Sequence, residues 1–290
     1  MYKLTPAIAA DWHAWLKLLE PRLVDIAASE SGKVWHGGRD GRSGHRGLAA
    51  AATALSPAVS VRIADDYGPS LDAFWSDDRL LLSQTCGYPL THALAGKVQL
   101  VATPEFDVSG CTGADYSSVF IVRADEAHAS LADYRGRRAA LNNTDSNSGM
   151  NVFRHAVAPL AENGRFFSSV VTTGSHRASM EAVASGLVDL ASIDCVTFAF
   201  ARDALPELTS RLRVIGYSTP TPGLPLITSR QLSAPALEHL RSALDETAGE
   251  HPALMRRLKI RSFVRRPLAH YDRIADIERE AVDLGYPTLA

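Results

Sequence analysis

Residues able to hold an anion are concentrated at three turns of the 290-residue chain, each placed just after a short apolar run. The richest is Asn142-Asn143-Thr144-Asp145-Ser146-Asn147-Ser148-Gly149-Met150, which leads into a helical pattern. Such a segment gathers backbone N–H groups, Ser hydroxyls and the positive end of a helix dipole at one point, a combination suited to an oxyanion. Helix capping accounts for one of those side chains and hardly for all of them. A second turn, Ser83-Gln84-Thr85-Cys86-Gly87-Tyr88-Pro89-Leu90, carries hydroxyl and amide donors, although an ordinary strand-to-helix turn with a Ser or Thr cap explains it equally well. The third, Thr173-Gly174-Ser175-His176, opens a helix with an imidazole in its first turn, a credible donor to an anion. Finally, the buried run Leu190–Ile193 ends in Asp194, which either caps a turn or orients a ligand cation or His176.

The elements that must position these turns follow from periodicity. Residues Ile8, Trp12, Trp15, Leu16, Leu19, Leu23 and Ile26 recur at three- and four-residue spacing, which predicts an amphipathic helix from Pro6 to about Ile26, broken or kinked at Pro21. Ser29 to Gly47 has no apolar period and reads as an exposed loop containing His36 and His45. Beyond it, β-type runs (Leu80–Ser83, Val98–Thr103, Val119–Arg123, Arg138–Asn142, Ser168–Thr172, Leu190–Ile193, Leu212–Tyr217, Pro225–Thr228) alternate with helical patterns at Gly149–Leu160, His176–Ser185, Ala234–Thr247 and near Ile274–Leu284. That alternation predicts an α/β fold with parallel sheets flanked by helices. Ligands in such sheets bind at the carboxyl ends of strands, where the three turns fall.

Composition narrows the function. With 46% hydrophobic and 21% charged residues the chain can bury a sizeable core, which excludes a disordered protein. Thirty Lys and Arg against 32 Asp and Glu leave a net charge of −2, so nucleic acid is not an expected partner. The apolar N-terminus from Ile8 to Leu19 is interrupted by Asp11, His13 and Lys17, so neither a membrane span nor a signal peptide is expected there. Cys86, Cys111 and Cys195 form no CxxC pair, which speaks against zinc; at least one is a free thiol, and whether Cys86 and Cys111 are bridged is left open. GxSxG, Walker A, GxGxxG and HExxH motifs are all missing. Donors without a nucleophile, metal or cofactor motif predict binding without turnover. The aromatic residues Trp35, Trp75 and Tyr217 are expected in the core before the cleft.

The stretch from Gly174 to Asp194 (GSHRASMEAVASGLVDLASID) resembles the GSH…A-V…G…D…A…D segment of the phosphate/phosphite/phosphonate substrate-binding proteins, the PhnD-like components of ABC importers. Ser83–Leu90 is similar to that family's polar turn after an early strand, Tyr116-Ser117-Ser118-Val119 to its crossover segment, and Asp145-Ser146-Asn147-Ser148-Gly149 to its S-x-S-G anion loop. The likeness runs from about Trp75 to Thr228.

The resemblance implies a two-lobed type II periplasmic-binding-protein fold with two mixed, mostly parallel sheets. Lobe 1 would comprise 1–115 and 218–290, and lobe 2 would comprise 116–217. The crossovers would lie near Tyr116–Ser118 and Tyr217–Pro220. On the same footing Ser146, Asn147 and Ser148 would hold the oxyanion, Thr85, Tyr88, Tyr116 and His176 would add donors across the cleft, and Asp194 would line its wall. The strand expected ahead of the first helix is absent, since Met1-Tyr2-Lys3-Leu4-Thr5-Pro6 passes straight into it. Family members that grip an amino group carry an acidic residue after the Ser-Pro-x-x-Pro segment. Here Ser218-Thr219-Pro220-Thr221-Pro222 is followed by Gly223-Leu224-Pro225, which argues against 2-aminoethylphosphonate. The implied function is capture of a small phosphorus oxyanion by a periplasmic, monomeric, hinge-closing protein that serves an ABC permease. The alternative is a cytoplasmic sensor or scavenger of the same fold that binds a small organic molecule.

Overall fold

The computed structural model describes residues 2–30, 61–63 and 70–290; His36, His45 and Trp35 lie outside them. Helix α1 (Pro6–Ser29) starts where Thr5 accepts a hydrogen bond from the Ile8 amide and Pro6 occupies the first turn. It continues through Pro21, so of the two expected outcomes the break does not occur. Pro21 and Lys17, whose carbonyl loses its intrahelical partner, both face solvent, while Trp12, Trp15, Leu19, Leu23 and Ile26 bury the opposite stripe. Trp15 stacks on Phe263 at 5.6 Å between ring centres, anchoring α1 to the first sheet.

After the short helix α2 (Leu71–Trp75), strands β1 (Ser83–Gln84) and β2 (Val98–Phe106) are linked by α3 (Gly87–Thr91). The hairpin β3 (Cys111–Thr112) and β4 (Asp115–Tyr116) leads into β5 (Ser118–Arg123), β6 (Arg138–Leu141) and α4 (Val152–Val157). Then come β7 (Ser169–Thr172), α5 (His176–Ala184), β8 (Leu190–Asp194), α6 (Cys195–Ala204), α7 (Pro206–Thr209) and β9 (Leu212–Tyr217). The chain ends with β10 (Thr221–Pro222), β11 (Leu226–Ser229), α8 (Ala234–Glu250), α9 (Pro252–Arg257), β12 (Ile260–Val264) and α10 (Asp272–Asp283).

Two main sheets result, ordered β1-β11-β2-β12 and β7-β6-β8-β5-β9. The α/β class with two sheets is as expected; the pairing is less parallel than expected. Only β7-β6-β8 pair in parallel among the described strands, and the first sheet is antiparallel throughout. The cause is insertion. The crossover through α3 does make β1 and β2 run the same way, but β11 enters between them, and β5 likewise enters between β8 and β9. Strand β12 has no counterpart in the sequence reading, because a register shift between Ile260 and Ser262 breaks the period of two and leaves Ile260-Arg261-Ser262-Phe263 without alternation.

Strands β4 and β10 carry the chain between the sheets and pair with each other, Thr221 opposite Tyr116. Just beyond them Ser118 and Ser218 exchange hydrogen bonds at 2.8 Å, so the two passages run side by side. The C-terminal helix packs against α3 on one side and α4 on the other. Its tail then reaches the second sheet's core, where the amides of Phe166 and Phe167 donate to the Ala290 carbonyl at 2.8 and 3.0 Å. No described helix is long and apolar enough to cross a membrane.

Candidate functional site

Strand β6 delivers the chain to the Asn142–Met150 turn. Ser146 caps the helix that follows by accepting from the Gly149 amide at 3.0 Å. Residues Asn147–Asn151 then form one π-type turn before α4, so the helix opens wider than an α-turn. A side chain at Gly149 would crowd its neighbours. A Cβ at that position would fall 1.8 Å from Asn142 Oδ1 and 3.2 Å from the His176 ring.

The Asn147 side chain and the Ser148 backbone carbonyl anchor this turn. The Asn147 amide donates to Tyr116 Oη at 3.2 Å and to Thr221 Oγ1 at 2.9 Å, one partner on each passage strand. Its oxygen accepts from Asn151 at 3.1 Å, and the residue has no exposed surface. Both amide hydrogens are thus engaged, and Asn147 acts as a clamp on the paired passages. The Ser148 carbonyl accepts from Ser118 Oγ at 2.9 Å and Ser192 Oγ at 2.6 Å, which pins the turn to β5 and β8. The hydroxyls of Ser146 and Ser148, both buried, lie 3.4 Å apart.

His176 meets this pair from α5, whose cap is Ser175. Its Nε2 is 2.9 Å from Ser148 Oγ and 3.4 Å from Asp194 Oδ2. With a carboxylate and a hydroxyl facing the same nitrogen, the proton belongs on Nε2. Ser148 then accepts from the ring and keeps its own proton for an acceptor, Ser146 or a ligand oxygen. Although Ser, His and Asp are adjacent, they do not form a nucleophile relay: both partners share Nε2, and Nδ1 is buried with no partner among the described residues. Burial pushes the His176 pKa below 6.5, against the opposing pull of Asp194. Asp194 also accepts from the Thr197 amide at 2.8 Å and from the Thr197 hydroxyl, so it caps α6 and faces His176 at once.

The remaining predicted residues sit around this centre. Thr85 is buried beside the turn, and its hydroxyl turns back to the Cys86 carbonyl at 3.3 Å. Tyr116 is buried against Asn147, and burial raises its phenol pKa. Tyr88 stands apart from the serines. Its hydroxyl donates to Glu278 at 2.9 Å and its ring stacks on His92 at 3.9 Å, while burial and then Glu278 push its pKa up to about 12. Its hydroxyl joins the turn through a relay: Glu278 pairs with Arg154 at 3.1 Å, Arg154 donates to Asn151 at 2.8 Å, and Asn151 donates to Asn147. The sequence reading missed Asn151, Arg154 and Glu278, whose helical positions carry no local sign of burial. Arg154 is only 4% exposed.

The three cysteines are thiols. Cys86 Sγ accepts from the Asn147 backbone N–H at 3.3 Å, which ties the second polar turn to the first. Cys111 lies with Cys195, their sulfurs 3.5 Å apart, so the neighbour of Cys111 is not the Cys86 considered from sequence. Trp75 is buried as expected, whereas Tyr217 is half exposed at 51%.

Comparison with known proteins places this geometry. No curated protein matches the sequence. Among solved structures, PhnD1 from Prochlorococcus marinus in complex with methylphosphonate is similar at TM-score 0.67 and 15% identity, covering 94% of this chain and 93% of that one. A binding protein component of an ABC phosphonate transporter from Pseudomonas aeruginosa gives 0.65 and 17% over 93% and 83%. XAC2383 from Xanthomonas citri bound to ATP gives 0.64 and 17% over 93% and 94%. These likenesses establish the type II periplasmic-binding-protein fold. The model of the periplasmic substrate-binding proteins of phosphonate ABC transporters matches residues 52–271, and the chain belongs to that family of transport binding proteins, which are not enzymes.

Proposed function

We propose that this chain captures a small phosphorus oxyanion in the groove between its two sheets and delivers it to an ABC permease. The observation that carries the reading is the Ser146–Ser148 turn: two adjacent hydroxyls at a helix start, one backed by the His176 imidazole, on a turn that the Ser148 carbonyl ties to β5 and β8 and the Asn147 side chain ties to the passage strands. Neutral donors and a helix dipole suit a ligand that must be released again, because no buried counter-ion has to be left unpaired when it departs. Lobe 1 is built on the first sheet (1–115 and 218–290) and lobe 2 on the second (116–217), with the C-terminal helix strapped across both. The paired passages β4 and β10 are the hinge, and Asn147 couples ligand contact to them. Ser146, Ser148 and His176 touch the anion. Thr85, Tyr116 and Asp194 shape the wall, and Asn147 and Tyr88 position the rest. A periplasmic monomer is the working form.

The test is a thermal-shift panel of phosphate, phosphite, methylphosphonate, 2-aminoethylphosphonate, ATP, sulfate and simple carboxylates. A ligand at a hundred times its Kd stabilises by about 2.7 kcal/mol, which raises Tm by several degrees. A shift confined to phosphorus anions supports the reading; a shift with carboxylates alone, or with none of the panel, overturns it.

A further inference from the structure

Helix α10 packs against both α3 and α4, and one of its carboxylates is gripped from the two sides at once. From the α3 side Tyr88 Oη donates to Glu278 Oε1 at 2.9 Å, and His92 Nε2 lies 2.8 Å from Oε2. With a carboxylate facing it, that nitrogen carries a proton and donates. From the α4 side the Arg154 guanidinium meets Oε1 at 3.1 Å. Tyr88 and His92 are four residues apart with their rings stacked, which sets the spacing of the two α3 donors. Burial raises the Glu278 pKa, but the hydrogen bonds from Tyr88, His92 and Arg154 outweigh it and hold the group below the ordinary carboxylate value.

Behind each set of donors lies one of the polar turns. Helix α3 continues directly from Cys86, whose Sγ accepts from the Asn147 backbone N–H. Helix α4 continues from the Ser146–Ser148 turn, and Arg154 reaches back to that turn through Asn151 and Asn147. Asn151 also donates to the Ile274 carbonyl at 2.9 Å, which ties the turn to the first part of α10. The donors to Glu278 therefore come from two helices that start at the two turns, one in each lobe proposed above. When the turns part, as hinge opening requires, the carboxylate cannot keep both sets.

Resting on that reading of hinge-closing capture, we infer that Glu278 is a positioning residue that latches the two lobes in the form in which the polar turns touch, and so slows release of the bound anion. It acts through α3 and α4 rather than on the ligand.

The double variant Tyr88→Phe/His92→Phe tests this. It removes the α3 donors, retains an aromatic ring at each position of the stack and leaves Arg154 its carboxylate, so no buried charge is stranded. Stopped-flow binding of phosphate and of methylphosphonate, followed by intrinsic fluorescence, should show dissociation about tenfold faster than in wild type, with association within about twofold. Small-angle scattering without ligand should give a larger radius of gyration for the variant. Glu278→Ala should behave alike. An unchanged dissociation rate in the double variant overturns the latch even if Glu278→Ala releases faster, because the effect then comes from the stranded Arg154. Should neither anion bind the wild-type chain, the anion-binding reading falls and scattering alone decides the latch: an unchanged radius overturns it, and a larger one supports it.

Discussion

Ser148 Oγ lies 2.9 Å from His176 Nε2, which joins the helix start after β6 to the helix start after β7 through a single hydrogen bond. Both side chains are almost withdrawn from water, and the serine is left with one proton to give. That contact sets the first two predictions.

Ser148→Ala removes the hydroxyl that faces the anion and leaves the backbone anchors to Ser118 and Ser192 in place. A hydrogen bond to a charged group is worth about 1.5–3 kcal/mol, so the Kd for the tightest phosphorus anion should rise about ten- to hundredfold. Calorimetry reads it directly; an unchanged Kd would remove Ser148 from the site.

His176 also makes the protein sensitive to acid. Its folded pKa lies below the ordinary 6.5, so the unfolded chain binds the proton first, and the stability owed to the neutral ring is present above pH 6.5. It is lost as pH falls from 6.5 through the depressed folded value. A bound anion favours the imidazolium, so anion affinity should move the opposite way and tighten over the same window. His176→Gln should flatten both trends, leaving only the ligand's own titration. Urea unfolding and calorimetry between pH 5 and about 8 give the two slopes.

Gly149→Ala forces a methyl group to a point 1.8 Å from Asn142 Oδ1. Overpacking of this kind costs about 1–3 kcal/mol, lowering Tm by about 2–4 °C per kcal/mol. Adding Asn142→Ala should recover most of the loss, because the clash is between these two side chains. Additive effects in the double variant would refute the contact.

Glu278→Ala strips Arg154 of its carboxylate while the guanidinium stays buried, held by Asn151 and the Pro287 carbonyl at 2.8 Å each. A partly unsatisfied buried charge costs about 1–3 kcal/mol, and the loss should be local. Hydrogen exchange should show faster exchange in α10 and in the amides of Phe166 and Phe167, which bond to the Ala290 carbonyl. Exchange unchanged there would mean that the C-terminal helix is held by its apolar face alone.

Oxidation should join Cys111 to Cys195 and leave Cys86 free. The hydrogen bond that the Cys195 thiol gives to Cys111, then burial, raises the Cys195 pKa, so the thiolate is scarce and bridging should be slow at neutral pH. Intact mass after diamide treatment should fall by two hydrogens in wild type and in Cys86→Ser, and stay constant in Cys195→Ser. A mass loss that depends on Cys86 would contradict the geometry.

The sequence alone determined what is local. Ser146, Ser175 and Asp194 each accept from an amide three residues on, a bond written into the order of residue types, and the polar turns after β-type runs mark the strand ends where an anion can bind. Periodicity placed α1, but the Pro21 break was wrong because one missing hydrogen bond on a wet face costs less than the buried stripe gains. Pairing direction was settled by tertiary structure, since β11 and β5 come from distant segments and enter between strands that a crossover had already aligned. The partners of buried polar groups were settled there too. Asn147 bonds Thr221, 74 residues away, and Arg154 reaches Glu278 on the last helix, because a buried amide or guanidinium takes whichever acceptor the packing brings to it.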